Sequence, residues 1–245
     1  MYRYELHMHT SEGSACGRST GVEMAEFYIR NGYSGAVVTD HFIHGNTRPD
    51  KNLSWDNYID AYASGYYNMK TAARGRDFDV FFGIEEKLDG WDEYLVLGIT
   101  PEWLKKHPEL RTLRGKDFFS LMHSAGAFII HAHPYRERDY MKSQTVILRP
   151  NDVDAIEVRN CGNTPECDRR GYEYAVRTGL PMTGGSDRHL ADPDKPSSGV
   201  EVPNRCHTAA ELIDAIRSRR TTVIDLAASS EAELTAPIFS VEIFE

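Results

Sequence analysis

Histidine and carboxylate residues recur in this sequence at spacings that suit metal ligands. His7 and His9 form one pair, and His131 and His133 form another directly after the apolar run Ala127–Ile130. Residues two apart on a strand point to the same side, so each pair can direct two imidazoles at one point. Imidazole combined with carboxylate suits Zn²⁺, Fe²⁺ or Mn²⁺ better than Ca²⁺ or Mg²⁺. These pairs therefore predict a transition-metal site.

Further candidate ligands follow other short apolar or glycine-rich runs. Asp40 and His41 come after one such run, and Glu85 comes after the next. A carboxylate such as Glu85 can bridge two ions, which an imidazole does not do. Asp187 and His189 follow two glycines and share one side, as the first histidine pair does. Each feature alone has a structural alternative, a helix cap for Asp40 or a glycine-rich turn. Together these candidate ligands are more than one ion can bind, which favours a centre of two or three ions.

The segments that must position these residues alternate between strand-like and helix-like patterns. The predicted strands are Arg3–Met8, Gly35–Thr39, Val80–Ile84, Tyr94–Ile99, Ala127–Ile130, Ala155–Val158, Met182–Gly185 and Thr221–Ile224. The predicted helices are Thr20–Asn31, Trp55–Ala73, Gly115–Ser124, Pro165–Thr178 and Thr208–Arg219. This alternation indicates an α/β fold with parallel strands joined by helical crossovers. The residues that follow a predicted strand end are His9, His41, Glu85, His133 and Asp187. In a β/α barrel, that face carries the active site.

Composition narrows the class of protein. The 245 residues carry 28 Lys and Arg against 37 Asp and Glu, a net charge of −9. This balance disfavours a long nucleic acid, which proteins bind largely by neutralising its phosphates. The longest apolar run is far shorter than the ~20 residues of a membrane helix, and no apolar leader is present, so a cytoplasmic protein is expected. The four cysteines form no CxxC pair; they are Cys16, Cys161, Cys167 and Cys206.

The motifs, taken in order, resemble those of the PHP (polymerase and histidinol phosphatase) superfamily. The matching segments are His7–Thr10, Thr39–His41, Gly83–Glu85, His133–Arg136, Ile156–Asn160 and Gly185–His189. The resemblance implies one domain over residues 1–245, folded as a distorted (β/α)₇ TIM-like barrel. It also implies a centre of two or three divalent metals (Zn, Mn or Fe) at the carboxyl-terminal ends of the strands, and phosphoester hydrolysis as the activity.

The resemblance further implies which residues bind each ion. The ligands would be His7, His9 and Asp187 for one ion, Glu85 and His133 for a second that Glu85 bridges to the first, and His41 and His189 for a third. Where the family places an Asp or His after the first pair, this chain offers Glu12 or Cys16. Where the family has a His on the strand after the bridging Glu, this chain has Glu93. A Cys16 thiolate would favour Zn²⁺ or iron. Asp40 and His131 remain further candidate ligands.

The expected reaction is hydrolysis of a small phosphomonoester, a nucleotide or a short oligonucleotide, by a metal-bridging hydroxide that attacks phosphorus in line. Arg136 and Arg188 would hold the non-bridging oxygens. His189 is a candidate catalytic residue as well as a ligand, because a His can protonate the leaving group. The excursions 45–76 and 135–149 are candidate lids over the barrel mouth.

Two other kinds of function remain open from the residues alone. An amidohydrolase acting on a C–N bond also opens with His-x-His, but it usually carries a bridging lysine. Lys87, two residues after Glu85, is the lysine to examine for that role. A binding module stabilised by metal but without catalysis is the second alternative. The sequence leaves the oligomeric state and the substrate undetermined.

Overall fold

The computed structural model describes residues 1–88, 90–137, 145–225 and 241–244. Its strands are β1 (Tyr2–Glu5), β2 (Gly35–Val38), β3 (Asp79–Lys87), β4 (Glu93–Leu97), β5 (Phe128–Ala132), β6 (Thr145–Leu148), β7 (Ala155–Asn160), β8 (Met182–Gly185), β9 (Val200–Val202), β10 (Thr222–Val223) and β11 (Val241–Phe244). Its α-helices are α1 (Gly21–Arg30), α2 (Trp55–Tyr62), α3 (Ser64–Ala72), α4 (Pro101–Lys105), α5 (Gly115–Ser124), α6 (Pro165–Thr178) and α7 (Ala209–Arg217), with a 3₁₀ helix at Pro108–Arg111.

Nine of these strands form one sheet that nearly closes into a barrel. Their order is β10-β9-β1-β2-β3-β4-β5-β7-β8. The segments that follow β1 and β8 meet at one end of the sheet. There His9 N donates to Arg188 O at 2.8 Å, and Arg188 N donates to His7 O at 3.3 Å. These two hydrogen bonds bring the segment after β1 and the segment after β8 together at one end of the barrel-like sheet.

Strand β4 departs from the expected βα alternation. It pairs antiparallel with both β3 and β5. Only residues 88–92 connect it to β3, and a parallel crossover needs a dozen residues or more. The start of β4 therefore lies beside the end of β3, where Glu93 pairs with Lys87 and with Ala132. The fold is a mixed α/β barrel-like sheet, and the sevenfold βα count stays a prediction.

The core has an inner and an outer layer, separated by the sheet. Leu6, Leu95 and Ile130 belong to one buried apolar cluster inside the barrel. The outer cluster includes Tyr94 and Tyr174. Alternation along each strand assigns neighbouring residues to opposite layers. The candidate metal-binding side chains lie within the last residues of the strands or just beyond them.

Helix α6 has the predicted bounds because residues that begin and end helices stand at both of its termini. The Thr164 side chain accepts from Cys167 N, and Pro165 occupies the first turn. Gly179 follows the helix in the left-handed conformation, with φ of 69°. A left-handed residue is favourable for glycine, which has no Cβ to clash. This helix packs over β7 and fixes the strand that carries Glu157.

The aromatic residues of α2 pack against the protein core. Trp55, Tyr58 and Tyr62 are buried, and Tyr62 packs edge-on to Phe42 with ring centroids 5.0 Å apart. Helices α2 and α3 replace the single helix predicted over Trp55–Ala73 and fill most of the excursion 45–76. Residues 138–144 of the second excursion lie outside the described residues, as do 226–240 of the tail. A lid role for either excursion stays a prediction.

Among the described residues, no helix has both the length and the apolar character needed to cross a membrane.

Candidate metal centre

Glu85, at the end of β3, is the centre of a buried cluster of imidazoles. Its Oε1 lies 3.0 Å from His7 Nε2 and 3.1 Å from His133 Nε2. Its Oε2 lies 2.6 Å from His41 Nδ1 and 3.4 Å from His9 Nε2. Four imidazoles, two from the segment after β1 and one each from the segments after β2 and β5, thus face the two oxygens of one carboxylate. This is the arrangement expected of a carboxylate that bridges two cations.

Asp187 adds a second carboxylate on the side of the first histidine pair. Its Oδ1 lies 3.0 Å from His9 Nε2 and 3.5 Å from His7 Nε2. Asp187 has a φ of 49°, so its backbone is left-handed just past β8. His7, His9, Glu85 and Asp187 therefore offer two nitrogens and two oxygens around one point. This set matches the first ion that the sequence resemblance implies.

Glu93 supplies a third carboxylate through the antiparallel strand β4. Its Oε1 lies 3.8 Å from His41 Nδ1, and its Oε2 lies 3.6 Å from His133 Nε2. Burial and the charge of Glu85 raise the pKa of Glu93 to about 7. Glu85, Glu93, His41 and His133 form a second donor set that shares Glu85 with the first.

Three of the histidines are oriented through their second ring nitrogen. His7 Nδ1 lies 3.0 Å from Glu157 Oε1, and His9 Nδ1 lies 3.1 Å from Ser14 Oγ. His189 Nδ1 lies 2.9 Å from the backbone oxygen of Asp187. A hydrogen bond at Nδ1 fixes the tautomer and leaves Nε2 as a lone-pair donor, which is how metal-binding histidines are commonly held.

The buried polar atoms of this cluster fit a cation. His7 Nε2, His41 Nδ1 and Glu85 Oε2 are buried and make no hydrogen bond of good geometry within the described residues. Unsatisfied buried nitrogen and oxygen atoms are costly unless an ion or another partner compensates them. His41 Nδ1 lies 2.6 Å from Glu85 Oε2, and His7 Nε2 lies 3.0 Å from the other oxygen of the same carboxylate, as ligand atoms around a metal do. The donor set of imidazole and carboxylate suits Zn²⁺, Mn²⁺ or Fe²⁺.

The charges of the cluster are strongly coupled. Burial alone would lower the pKa of His7, but Glu157 and Glu85 outweigh it and hold that pKa well above its ordinary value. Burial would raise the pKa of Glu85, yet His41 and His7 hold it well below its ordinary value. For His9, burial and the neighbouring His189 and His41 lower the pKa. Such opposed shifts within one site are typical of functional centres.

At the outer side of the cluster, Cys16 and His189 meet. The Cys16 Sγ and His189 Nε2 atoms lie 3.1 Å apart. Burial would raise the pKa of the Cys16 thiol, but hydrogen bonds with His189 and His41 outweigh it and lower the pKa to about 6. The ring centroids of His9 and His189 are 4.3 Å apart. This group is more exposed than the rest, since the His189 side chain keeps 27% of its surface accessible.

Arg136 is the cation that the structure brings to the centre. Its guanidinium bonds Asp187, and it donates to Asn160 Oδ1 at 3.0 Å and to Asn163 Oδ1 at 3.3 Å. Burial would lower the pKa of Arg136, but Asp187 outweighs it and raises that pKa. A permanently charged, planar donor beside the predicted metals can bind phosphate oxygens.

Arg188 does not reach the centre. Its guanidinium is buried and donates to the backbone oxygens of Asp192 at 2.9 Å and Pro196 at 2.7 Å. It also lies over the Phe27 ring, 4.3 Å from the ring centroid. Arg188 holds the loop after β8 in place, and the structure does not support its predicted contact with substrate.

Asp40 and Glu12 are engaged in hydrogen bonds away from the cluster. Asp40 accepts from Thr10 N, Thr10 Oγ1 and Ser14 Oγ, each at 2.6 Å. Glu12 accepts from Gly21 N at the start of α1. Among the described residues, neither belongs to a group of possible metal ligands. Asp40 instead orients His9 through Ser14.

His131 lies on the outer face of β5, away from the other imidazoles. It stacks on Tyr94 with centroids 4.7 Å apart, and its Nε2 lies 3.4 Å from Asp92 Oδ1. The expectation that His131 and His133 share one side is wrong, because β5 ends at Ala132 and His133 has a φ of 27°. The break in the extended backbone turns His133 inward while His131 keeps the outward direction.

Two positioning residues, Glu157 and Glu5, received no role from the sequence. Glu157 contacts His7, and its Oε2 accepts from His133 N at 2.9 Å. Glu5 accepts from His7 N and Ser186 N, both at 2.9 Å, and so joins β1 to the segment after β8. Glu157 lies in one of the quoted motifs, and its acidic side chain within a buried apolar strand was the signal that could have identified it.

Replacing Glu157 with Gln tests its positioning role. We expect metal affinity to fall about 10–100-fold, as for other residues that orient a ligand histidine. A Gln retains the size of the side chain but loses the charge that favours His7 Nε2 as a donor. Titration of metal into the chelated protein measures the effect, with Glu201→Gln, a partly exposed residue outside the cluster, as the control. Unchanged metal affinity with altered thermal stability alone would assign Glu157 a purely structural role.

Comparison with known proteins identifies the fold. No family model matches the sequence. No curated protein matches it either. Solved structures do match, among them a two-domain protein from Bacteroides vulgatus ATCC 8482 that contains a predicted PHP-like metal-dependent phosphoesterase. It is 18% identical, with a TM-score of 0.66 over 91% of this chain and 64% of that chain.

Two other solved structures have similar folds. An amidohydrolase from Chromobacterium violaceum, determined with bound sulfate and no metal, is 15% identical with a TM-score of 0.56, over 90% of this chain and 97% of that one. A lesion-specific endonuclease Q from Pyrococcus furiosus is 13% identical with a TM-score of 0.54, over 91% and 57%. This chain spans less than two thirds of the length of the Bacteroides and Pyrococcus proteins. It has the fold of the PHP-like metal-dependent phosphoesterases.

Proposed function

We propose that this protein belongs to the PHP superfamily and is a metal-dependent hydrolase of phosphoesters. Its substrate would be a small phosphomonoester, a nucleotide or a short oligonucleotide. The observation that carries the proposal is the position of Glu85, whose two oxygens face four imidazoles at the end of the barrel-like sheet. A shared carboxylate of this kind supports a centre of at least two ions.

The residues present would hold ions in overlapping sets. The ligand sets are His7, His9, Asp187 and Glu85 for the first ion, Glu85, His133 and Glu93 for the second, and His41 with His189 for a third. When bound, divalent ions supply Lewis-acid charge and make water acidic enough to act as a nucleophile near neutral pH. The protein contributes the fixed geometry, because the histidine tautomers are set by Glu157, Ser14 and the Asp187 backbone.

The other residues of the site bind and orient the substrate. Arg136 would pair with non-bridging phosphate oxygens, which carry charge that grows in the transition state. His189, at the exposed edge of the cluster, would hold a proton at Nε2 for the leaving oxygen when the outer group carries no ion. The net charge of −9 favours a small anion, whose charge the ions and Arg136 can balance locally, over a long duplex.

An amidohydrolase activity is the second candidate, supported by the fold shared with the Chromobacterium protein. The residue that would favour it, Lys87, lies elsewhere. Its Nζ is 3.4 Å from the centroid of the Trp91 ring, which it covers. Glu85 already occupies the place of a bridging ligand. The arrangement therefore favours phosphoester hydrolysis.

The test combines metal content with hydrolysis. Purified protein is assayed for bound transition metals, then for release of nitrophenol from a nitrophenyl phosphate and a bis-nitrophenyl phosphate and for release of nitroaniline from a nitroanilide, with and without added Mn²⁺ or Zn²⁺. We expect two or three ions per chain and metal-dependent cleavage of a phosphoester. Cleavage of the amide alone would support the amidohydrolase, and an absence of stoichiometric metal would refute the ligand assignment. A duplex carrying an abasic site, compared with a dinucleotide, tests for nuclease action on long DNA.

Replacing Arg136 with Gln should mainly weaken phosphate binding. We expect kcat/KM to fall about 10²-fold. The charge-assisted contact between the guanidinium and a phosphate oxygen, which strengthens in the transition state, contributes about 2–3 kcal/mol. Arg188→Gln is the matched comparison because it removes the same group from the loop after β8. That variant should lower Tm and leave KM near the wild-type value. Equal losses of kcat/KM in both variants would contradict the separate roles.

A further inference from the structure

A bulge in β7 brings two polar side chains to the same face of the sheet, beside the candidate metal centre. The register between β7 and β8 shifts between Glu157 and Arg159, so that β7 has one residue more than β8 over this stretch. Side chains three residues apart on a regular strand point to opposite faces. Here the Asn160 side chain nonetheless reaches Glu157, and its Nδ2 donates to Glu157 Oε2 at 2.9 Å. Bulges redirect side chains in this way and are frequent next to active sites.

Asn160 and Asn163 hold the guanidinium of Arg136 from one side. Arg136 Nη2 donates to Asn160 Oδ1 at 3.0 Å, and Arg136 Nε donates to Asn163 Oδ1 at 3.3 Å. Arg136 Nη2 also bonds Asp187, so the other end of the guanidinium lies beside the candidate metal ligands. Among the described residues, Arg136 Nη1 makes no hydrogen bond. The two asparagines therefore fix the direction of Arg136 and leave Nη1 as a donor for an anion.

Each asparagine is in turn oriented by a buried carboxylate. Asn160 Nδ2 donates to Glu157 Oε2, and Asn163 Nδ2 donates to Asp168 Oδ1, both at 2.9 Å. Glu157 and Asp168 are each only 1% exposed. The Asn160 oxygen also accepts from Gly162 N at 2.8 Å. A flipped amide would direct its NH₂ group at the guanidinium and its oxygen at a carboxylate, so these contacts permit a single orientation of each side chain.

The two amides keep the charge of Arg136 available, which carboxylates in their place would not do. An amide oxygen accepts a hydrogen bond without carrying a net charge, whereas a carboxylate so close would neutralise the guanidinium. The buried carboxylates Glu157 and Asp168 lie one side chain further away. Asp187 does contact Arg136, but it is also a proposed metal ligand, and a bound ion would draw on its charge. A fully charged guanidinium is the stronger donor to a phosphate oxygen.

We infer that Asn160 and Asn163 are positioning residues for phosphate binding, which orient Arg136 through neutral oxygens so that its full positive charge acts on the substrate. The inference rests on the proposed phosphoester hydrolysis and deepens it by naming the residues that prepare the anion-binding group. Asn160 further joins this group to the first ligand set, because Glu157 also contacts His7 Nδ1 at 3.0 Å. Asn160 is therefore the residue that links substrate binding to metal binding.

Asn160→Asp and Asn163→Asp test the role of charge, because each replaces an amide with a carboxylate of the same size. We expect each variant to lower the affinity of the Mn²⁺-loaded protein for inorganic phosphate at least about 10-fold, the contribution of one hydrogen bond to a charged group. Titration calorimetry measures that affinity, and metal analysis of the same samples shows whether the ions are retained. Asn163→Asp decides the outcome if Asn160→Asp loses metal, since Asn163 bonds Asp168 rather than Glu157. Asn204→Asp adds the same charge at an exposed position and should keep the wild-type affinity.

Asn163→Ala, alone and combined with Arg136→Gln, shows whether the effect passes through Arg136. The single variant should weaken phosphate binding. Adding it to Arg136→Gln should change the affinity by less than about twofold, because residues that act through one group are not additive. A loss of equal size in both backgrounds would overturn the inference, as would wild-type phosphate affinity in both Asp variants, and neither result would count against the proposed function. A metal-loaded wild type that binds no phosphate would refute that function instead.

Discussion

Glu85→Gln is expected to reduce metal-dependent hydrolysis at least about 10³-fold and to release the two inner ions. Each Glu85 oxygen faces two imidazoles, so the change removes a charged ligand from both inner sets at once. A neutral amide cannot bridge two cations, and its NH₂ group would point a donor at a metal or an imidazole. A loss of several kcal/mol of transition-state stabilisation corresponds to this factor. Steady-state kinetics and metal analysis of the same sample measure both effects.

Glu86→Gln is the control, because it makes the same chemical change one residue along β3. The Glu86 carboxylate is buried on the opposite face and accepts from His44 N at 3.0 Å. Its amide counterpart can still accept that bond, so metal content should stay near wild type. A Glu85→Gln protein that kept both its ions and its activity would remove Glu85 from the centre. Equal metal loss in the two variants would indicate general damage to β3.

Local sequence patterns predicted the elements that alternate regularly, and they failed where the backbone changes direction. Helix α6 has the predicted bounds because Pro165 and Gly179 mark its ends. The orientation of His131 was wrong because period-two reasoning assumes an extended strand, and the left-handed His133 interrupts it. The antiparallel β4 depends on the length of its connection, which the pattern of apolar residues does not express.

Contacts between residues far apart in the sequence were the other feature that the sequence could not predict. Arg188 sits in a motif with Asp187, yet the loop after β8 folds back and captures its guanidinium through carbonyl oxygens. Glu157 is separated from His7 by 150 residues, so no local spacing connects them. The proximity of the candidate ligands Glu85, His41 and His133 was predictable because strand ends meet at one edge of a barrel. The residues that orient those ligands depend on tertiary packing.

Chelation of the metals is expected to lower Tm by roughly 10–30 °C at pH 8. Two ions at concentrations of 100 to 1,000 times Kd each stabilise the folded state by about 3–4 kcal/mol, and about 1 kcal/mol corresponds to 2–4 °C in a domain of this size. Without ions, the buried carboxylates must be balanced by protonated imidazoles. Thermal unfolding with and without chelator, followed by re-addition of Zn²⁺ or Mn²⁺, measures the difference.

The stabilisation of the folded protein by bound metal should increase with pH. His7 and His41 carry protons at low pH and can bind metal only after losing them. In the metal-free protein, nearby carboxylates raise the pKa of both histidines. Their protonation therefore stabilises the folded state fully below the unfolded value of about 6.5, and the benefit is lost as pH rises through the folded pKa. The lowered pKa values of Glu85 and Asp187 act oppositely: their contribution is present above about pH 4 and is lost in more acidic solution.

The metal-free protein is thus most stable between these limits, in mildly acidic solution, while metal binding requires His7 and His41 without their protons. We expect the Tm gain from metal to be small near pH 5.5 and to reach its full size near pH 8. His207 is an exposed histidine outside the centre, and His207→Gln should leave the pH dependence of the Tm gain unchanged. A gain in Tm that is constant from pH 5.5 to 8 would contradict the coupling of metal binding to these two imidazoles. Because the same protons compete with the ions during catalysis, the metal-dependent activity should rise over the same pH range as the gain in Tm.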